Sequence, residues 1–241
     1  MGVFFDDVAV YYTVKYPLWV GDVQVTSANA EDADGTRGWS FTPAVTEGAQ
    51  LVTPATLTLN GYSFDGTQSE PQYGIRYEGE AELAIALEGD SSVEGTNRGV
   101  LSSNYGSVSI TGDGSLTAVG LHAGVEVYGG DLTIDGDVAA TGATAGIKAN
   151  YSGDRGNVTI AGGEVTATAT AEDADAGIYA AGQGSVTIDA GTVTAEGRNG
   201  IKSDDGTVTA TASGENSSGI SSVLGTTISG ALSPPAVTKR P

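Results

Sequence analysis

Cysteine is absent from this 241-residue chain, so no disulfide staples the fold and neither thiolate chemistry nor a Cys-based metal site exists. Basic residues are scarce, with 10 Lys and Arg against 30 Asp and Glu, for a formal net charge of -20. That balance excludes nucleic acid as a partner, because phosphate binding needs a basic stripe. It also disfavours anionic membrane surfaces. His122 is the single histidine, so no His-based metal site can be built. No apolar run approaches the roughly 18 residues that cross a bilayer, which argues against membrane insertion. No signal peptide is visible, and Met1-Gly2 reads as the start of a fragment of a longer chain. Acidic, cysteine-free and kept apart by self-repulsion, the chain reads as extracellular, from a bacterial cell surface or secreted.

What is abundant is glycine, 37 residues, interleaved with β-branched triplets. A unit of three short runs recurs. The first opens at Gly74-Ile75, Gly99-Val100, Gly124-Val125, Gly146-Ile147, Gly177-Ile178, Gly200-Ile201 and Gly219-Ile220, at intervals of 25, 25, 22, 31, 23 and 19 residues. The second reads Leu83-Ala84-Ile85, Val108-Ser109-Ile110, Leu132-Thr133-Ile134, Val158-Thr159-Ile160, Val186-Thr187-Ile188 and Val208-Thr209-Ala210. The third carries Val93, Leu116-Thr117-Ala118, Val138-Ala139-Ala140, Val165-Thr166-Ala167 and Val193-Thr194-Ala195. Repeats of this length decide the fold.

Side chains alternate faces along a strand. In Val-Thr-Ile the two apolar residues point one way and Thr the other. Stacking equivalent strands in parallel makes an internal ladder of Ile85, Ile110, Ile134, Ile160 and Ile188, and a second of Ala118, Ala140, Ala167 and Ala195. The expectation is an all-β, right-handed, single-stranded parallel β-helix with three strands per turn and about seven turns. An antiparallel β-sandwich is the competing fold, but it lacks a ladder of identical triplets. Residues 1–56, with the aromatic run 3–16 and both tryptophans, read as an N-terminal β cap over the exposed first rung. Pro17 is expected to break the first run, with candidate strands at Trp19–Thr26 and Trp39–Thr42. Residues 57–230 form the coil and 231–241 a Pro-rich tail or linker.

The stretch Tyr16-Pro17-Leu18-Trp19-Val20-Gly21-Asp22-Val23-Gln24-Val25-Thr26-Ser27-Ala28-Asn29, then Thr56-Leu57-Thr58-Leu59-Asn60 and the repeats, resembles a family of bacterial cell-surface domains. These occur in large secreted proteins of gut and other anaerobic bacteria and are loosely described as carbohydrate-binding. The resemblance covers most of residues 16–230 and implies a surface module that binds glycans. Gly200-Ile201-Lys202-Ser203-Asp204-Asp205-Gly206 also resembles turns of calcium-dependent carbohydrate-binding β-helices, but without their regular Asp-Gly-Ile repeats.

Candidate sites follow from the positions that fail to repeat. The outward residue after each Gly-Ile pair is Arg76, Leu101, Glu126, Lys148, Tyr179, Lys202 or Ser221. Tyr77, Tyr105, Tyr128, Tyr151 and Tyr179 fall in the same strand or the turn after it. Sugar rings stack on aromatics while flanking polar groups fix their hydroxyls. The candidate ligand face is therefore Tyr77, Tyr105, Tyr128, Lys148, Tyr151, Tyr179 and Lys202; tyrosines stacked on one another to shield the turns would give the same pattern. Asp135, Asp137, Asp204 and Asp205 are the candidate metal ligands, with calcium the ion that suits oxygen-rich turns; solvated turn acids are the alternative.

Catalysis by a parallel β-helix needs close carboxylates, or carboxylates with a basic proton acceptor. Glu126 beside Lys148 on consecutive turns, with Asp154 and Arg155 in the adjoining turn, is the one constellation of that kind, and a surface ion pair explains it equally well. The sequence points to a non-enzymatic, monomeric module within a longer surface protein. It takes no resident cofactor and has a polysaccharide or glycoconjugate as partner. A passive stalk displaying other domains is the alternative, and a polysaccharide lyase or glycosidase a more distant one.

Overall fold

The computed structural model describes residues 12–32, 34–48, 50–66, 73–149, 156–205, 207–211, 220–222 and 226–229. The fold is all-β, a parallel β-solenoid of about six turns, with no α-helix among the described residues. Between successive turns the pairings are parallel throughout, which excludes the antiparallel sandwich.

The Gly-Ile strands stack as Tyr73–Tyr77, Arg98–Ser102, Ala123–Val127, Ala145–Ala149, Ala176–Ala180, Ile201–Ser203 and Ile220–Ser222. Their register is the one the glycines announce: Ile75, Val100, Val125, Ile147, Ile178, Ile201 and Ile220 are successive Cα partners. The second run stacks Ile85, Ile110, Ile134, Ile160, Ile188 and Ala210 in the same way. The third stacks Phe64, Val93, Ala118, Ala140, Ala167 and Ala195. Two turns join their second and third runs without a break, as the long strands Val108–Gly120 and Leu132–Gly142.

These ladders are the core. Ile75, Ile85, Ile110, Ile134, Ile147, Ile160 and Ile178 are fully buried, as are Ala118 and Ala167. Close packing of such an interior tolerates neither loss nor gain of a methylene cheaply. The recurrent glycine before each Ile or Val is demanded by close approach to the third run. A Cβ at Gly124 would come within 2.5 Å of the Thr141 nitrogen, and one at Gly146 within 2.4 Å of the Thr168 nitrogen.

At the N-terminal end the pairing turns antiparallel. Lys15–Val20 pairs with Tyr73–Tyr77 on one side and with Val23–Thr26 on the other. Trp39–Thr42 pairs with Ala55–Leu59. Pro17 does not break the run as expected: it sits inside Lys15–Val20, where the register with Val23–Thr26 slips between Lys15 and Trp19. The irregularity removes the need for the N–H that proline lacks. Trp19–Thr26, expected as one strand, is a hairpin folded at Gly21, whose φ is +60°. Residues 1–11, Tyr151, the Asp154-Arg155 pair and the 231–241 tail lie outside the described residues.

Candidate functional site

Between the inward Ile or Val and its inward neighbour two residues on, each Gly-Ile strand places one side chain on the outer face. These stack as Trp19, Arg76, Leu101, Glu126, Lys148, Tyr179, Lys202 and Ser221, each the Cα partner of the next. Period-two alternation predicts this row to be solvated. Its centre is instead covered: Glu126 is 0% exposed, Lys148 7% and Tyr179 8%.

Charge pairing across turns accounts for the cover. Arg98, at the start of the preceding strand, donates from Nε to Glu126 Oε2. His122 Nδ1 lies 3.4 Å from the same oxygen. Glu126 Oε1 is buried with no hydrogen-bond partner. One strand on, Lys148 Nζ donates to Asp175 Oδ2 at 3.2 Å. Asp175 is the last acid of the long insertion, and its backbone N–H donates to Thr144 at 2.8 Å. Burial pushes the His122 imidazole below the usual histidine range; Glu126 opposes this, while Arg98 and Lys148 add to it.

Tyr179 is gripped on all sides. The Lys148 and Lys202 ammoniums stand 5.1 Å and 4.5 Å from its ring centroid. Its hydroxyl donates to Asp204 Oδ2 at 2.5 Å. Asp204 also accepts from the Gly182 N–H and pairs with Lys202 at 3.0 Å. Burial raises the Tyr179 hydroxyl pKa and the Asp204 carboxylate raises it further. Burial also pushes the Asp204 carboxyl up, but the donors from Tyr179, Lys202 and Gly182 outweigh it and hold the group below the usual carboxylate range.

The expected tyrosine face therefore divides. Tyr77 is a core residue, its hydroxyl donating to the Ala81 carbonyl at 3.0 Å. Two residues after inward Ile75, it must point inward as well. Tyr179 is buried, with the ammoniums of Lys148 and Lys202 near its ring, and offers little open stacking surface. Tyr151 lies outside the described residues. Tyr128 is half-buried, and Tyr105 is 64% exposed. These last two adjoin, with the Tyr105 N–H donating to the Tyr128 carbonyl at 3.1 Å. Tyr105 is the one described non-glycine residue with positive φ, 62°. Its turn is pinned: Ser102 Oγ donates to the Gly106 carbonyl at 2.7 Å, and Asn104 Nδ2 to the Glu78 carbonyl at 3.2 Å. The ring lies against Gly129, where an added Cβ would meet Tyr105 Cδ1 at 2.2 Å.

The candidate metal acids do not gather. Asp135 and Asp137 are exposed on the strand Leu132–Gly142, and Asp137 Oδ1 accepts the Glu164 N–H at 2.7 Å. Asp204 is engaged as described, and Asp205 is exposed. Among the described residues no group of three or more His, Asp or Glu side chains is placed to hold a metal ion.

A polar staircase went unread in the sequence. Ser107, Asp131, Asn157, Ser185 and Thr207 occupy equivalent turns, and each side chain accepts the backbone N–H of the next. The distances are 3.1, 2.8, 3.0 and 3.1 Å. The available signal was a small polar residue immediately before every Val-x-Ile or Leu-x-Ile triplet from Ser107 on. Compared with family models, with curated proteins and with solved structures, the chain matches none.

Proposed function

We propose that the chain is a non-catalytic module of a bacterial cell surface, wall-displayed or secreted, that binds a glycan or mediates adhesion. The observation that supports it is Tyr105. An aromatic side chain is held at a backbone angle costly for a residue with a Cβ, on a turn fixed by hydrogen bonds, with its ring largely open to solvent. Strain of this kind persists where the surroundings impose it, and it gathers at ligand-contacting positions. Sugar rings stack on such a surface, and Tyr128 in the next turn extends it along the coil. In this reading the coil is right-handed with three strands per turn, residues 1–56 cap it, and the ligand lies along the Tyr105–Tyr128 turns.

Retention of the wild-type protein and of Tyr105→Ala on a glycan array tests this. Binding by wild type that is lost in the variant supports the reading; equal retention of the two overturns it. A folded wild type that binds no glycan or host glycoconjugate leaves the second reading, a stiff stalk displaying other domains. That reading is favoured by the bonds tying each turn to the next through Arg98–Glu126, Lys148–Asp175 and Asp131–Asn157.

A further inference from the structure

Tyr105 stands in a stack of three turns whose charges are all of one sign. The turn before it is Glu78-Gly79-Glu80-Ala81-Glu82, its own is Ser103-Asn104-Tyr105-Gly106-Ser107, and the one after it is Tyr128-Gly129-Gly130-Asp131. None of the three carries a lysine or an arginine. The turns are tightly stacked. Ser103 N–H donates to the Tyr77 carbonyl at 2.9 Å and Asn104 Nδ2 to the Glu78 carbonyl at 3.2 Å. A Cβ on Gly106 would come within 2.4 Å of the Gly79 carbonyl oxygen. On the far side, the Asp131 N–H donates to Ser107 Oγ at 3.1 Å. Successive turns are about 4.8 Å apart. Glu80 and Glu82 therefore lie one step to one side of the Tyr105 turn, and Asp131 one step to the other.

These acids keep their charge toward solvent. Glu78 is paired with Arg76 at 3.3 Å. Glu80 is exposed and Glu82 half-buried, and among the described residues neither has an ion-pair partner. Asp131 is exposed and binds Asn157 through Oδ1. Carboxylates set around an open aromatic ring concentrate cations there and repel anions. The ring attracts an ammonium through its own π face as well. An acidic sugar on Tyr105 would bring a carboxylate toward Glu80, Glu82 and Asp131; an amino sugar brings an ammonium.

We infer that the Tyr105 surface takes a glycan with free, protonated amines, of the glucosamine type, in preference to a neutral or acidic one. The inference rests on the reading of Tyr105 as a glycan-contacting residue and adds the class of sugar. The apolar face of the sugar packs on the ring, and its ammonium sits in the field of Glu80, Glu82 and Asp131. An exposed carboxylate about 5–8 Å from an ammonium in water is worth about two- to fourfold in affinity. Salt screens that contribution.

The test is titration of the folded wild-type chain with a glucosamine oligomer, its fully N-acetylated counterpart and an oligouronate. The first two share a ring skeleton and differ in charge. The glucosamine oligomer should bind about tenfold more tightly than the N-acetylated one, the product of several such contributions, and the oligouronate most weakly. Glu80→Gln and Glu82→Gln should each weaken the glucosamine oligomer about two- to fourfold at low salt and leave the N-acetylated one unchanged. Glu164→Gln, on the third run, should change neither. Equal or tighter binding of the N-acetylated or acidic oligomer, lost in Tyr105→Ala, overturns the preference for amines and leaves the glycan reading standing. Glucosamine binding that persists in Tyr105→Ala, or that falls as much in Glu164→Gln, is diffuse attraction to an acidic chain and overturns the inference. Absence of binding to all three overturns it too, and the glycan array separately decides whether any other sugar is bound.

Discussion

Tyr179 Oη and Asp204 Oδ2 are 2.5 Å apart, a hydrogen bond that joins the fifth Gly-Ile strand to the turn after the sixth. It fixes two titrations in opposite senses. The Asp204 carboxyl is held low in the folded state, so its contribution to stability is present above its unfolded pKa, near 3.8, and is lost as pH falls through the lower folded value. The Tyr179 hydroxyl is held high, so its contribution is present below its unfolded pKa, near 10, and is lost as pH rises through the folded value. Tyr179→Phe removes the donor. The acid unfolding midpoint should move to higher pH, and stability at pH 7 should fall by about 1.5–3 kcal/mol, as for a hydrogen bond to a charged group. Urea titrations between pH 2 and pH 7 check both; an unmoved acid midpoint would sink the account.

Arg98 and Glu126 test a different balance. Removing Arg98 strands a fully buried carboxylate, which costs about 3–5 kcal/mol, whereas removing both charges together costs far less. Equilibrium denaturation of Arg98→Met, Glu126→Gln and the double variant should therefore be strongly non-additive, with the double variant more stable than Arg98→Met alone. Additive losses would mean that the two side chains do not depend on each other.

The staircase makes a sharper local claim. Asp131 Oδ1 accepts both the backbone and the side-chain N–H of Asn157, at 2.8 and 2.9 Å. Asp131→Ala leaves these donors to water in an exposed turn, at a cost of about 1 kcal/mol. The effect should be concentrated there, as faster amide exchange at Asn157 and Val158 with little change at Ile134. Uniform acceleration across the coil would show that the staircase has no local role.

The interior is the part of the molecule most legible in the sequence, because identical triplets at a near-regular period fix both stacking and facing. Ile134 and Ala140 belong to the same strand and are both buried, with side chains of very different size. Ile134→Ala should cost about 2–5 kcal/mol through the cavity it leaves, while Ala140→Leu should cost about 1–3 kcal/mol through overpacking. Thermal or urea melts measure both; a neutral Ala140→Leu would mean that the alanine ladder is not tightly enclosed.

The outer face was legible in order but not in environment. The row from Arg76 to Ser221 follows from spacing alone. That its middle is sealed does not, because the seal comes from residues outside the repeat: Arg98 at a strand start, His122 in a turn and Asp175 in an insertion. Parity was sufficient to place Tyr77 inside, since Ile75 two residues earlier is an interior position. Pairing of Tyr179 with two lysines needed the register of three strands at once. Positive φ at Tyr105 had no sequence signal, as glycine or asparagine is the residue expected there.

That last mismatch yields a test that separates folding from binding. At φ 62° a Cβ costs roughly 1–2 kcal/mol, and the exposed Tyr105 ring recovers only part of this against Gly129. Tyr105→Gly removes the strain but loosens the unfolded chain, so a net gain of about 0.5–1 kcal/mol is expected. Tyr105→Ala keeps the strain and loses the ring, so its stability should fall slightly below wild type. Both variants should lose glycan retention despite shifting stability in opposite directions. If Tyr105→Gly were less stable than wild type, the ring would be a packing element, and the case for a strained binding residue would fall with it.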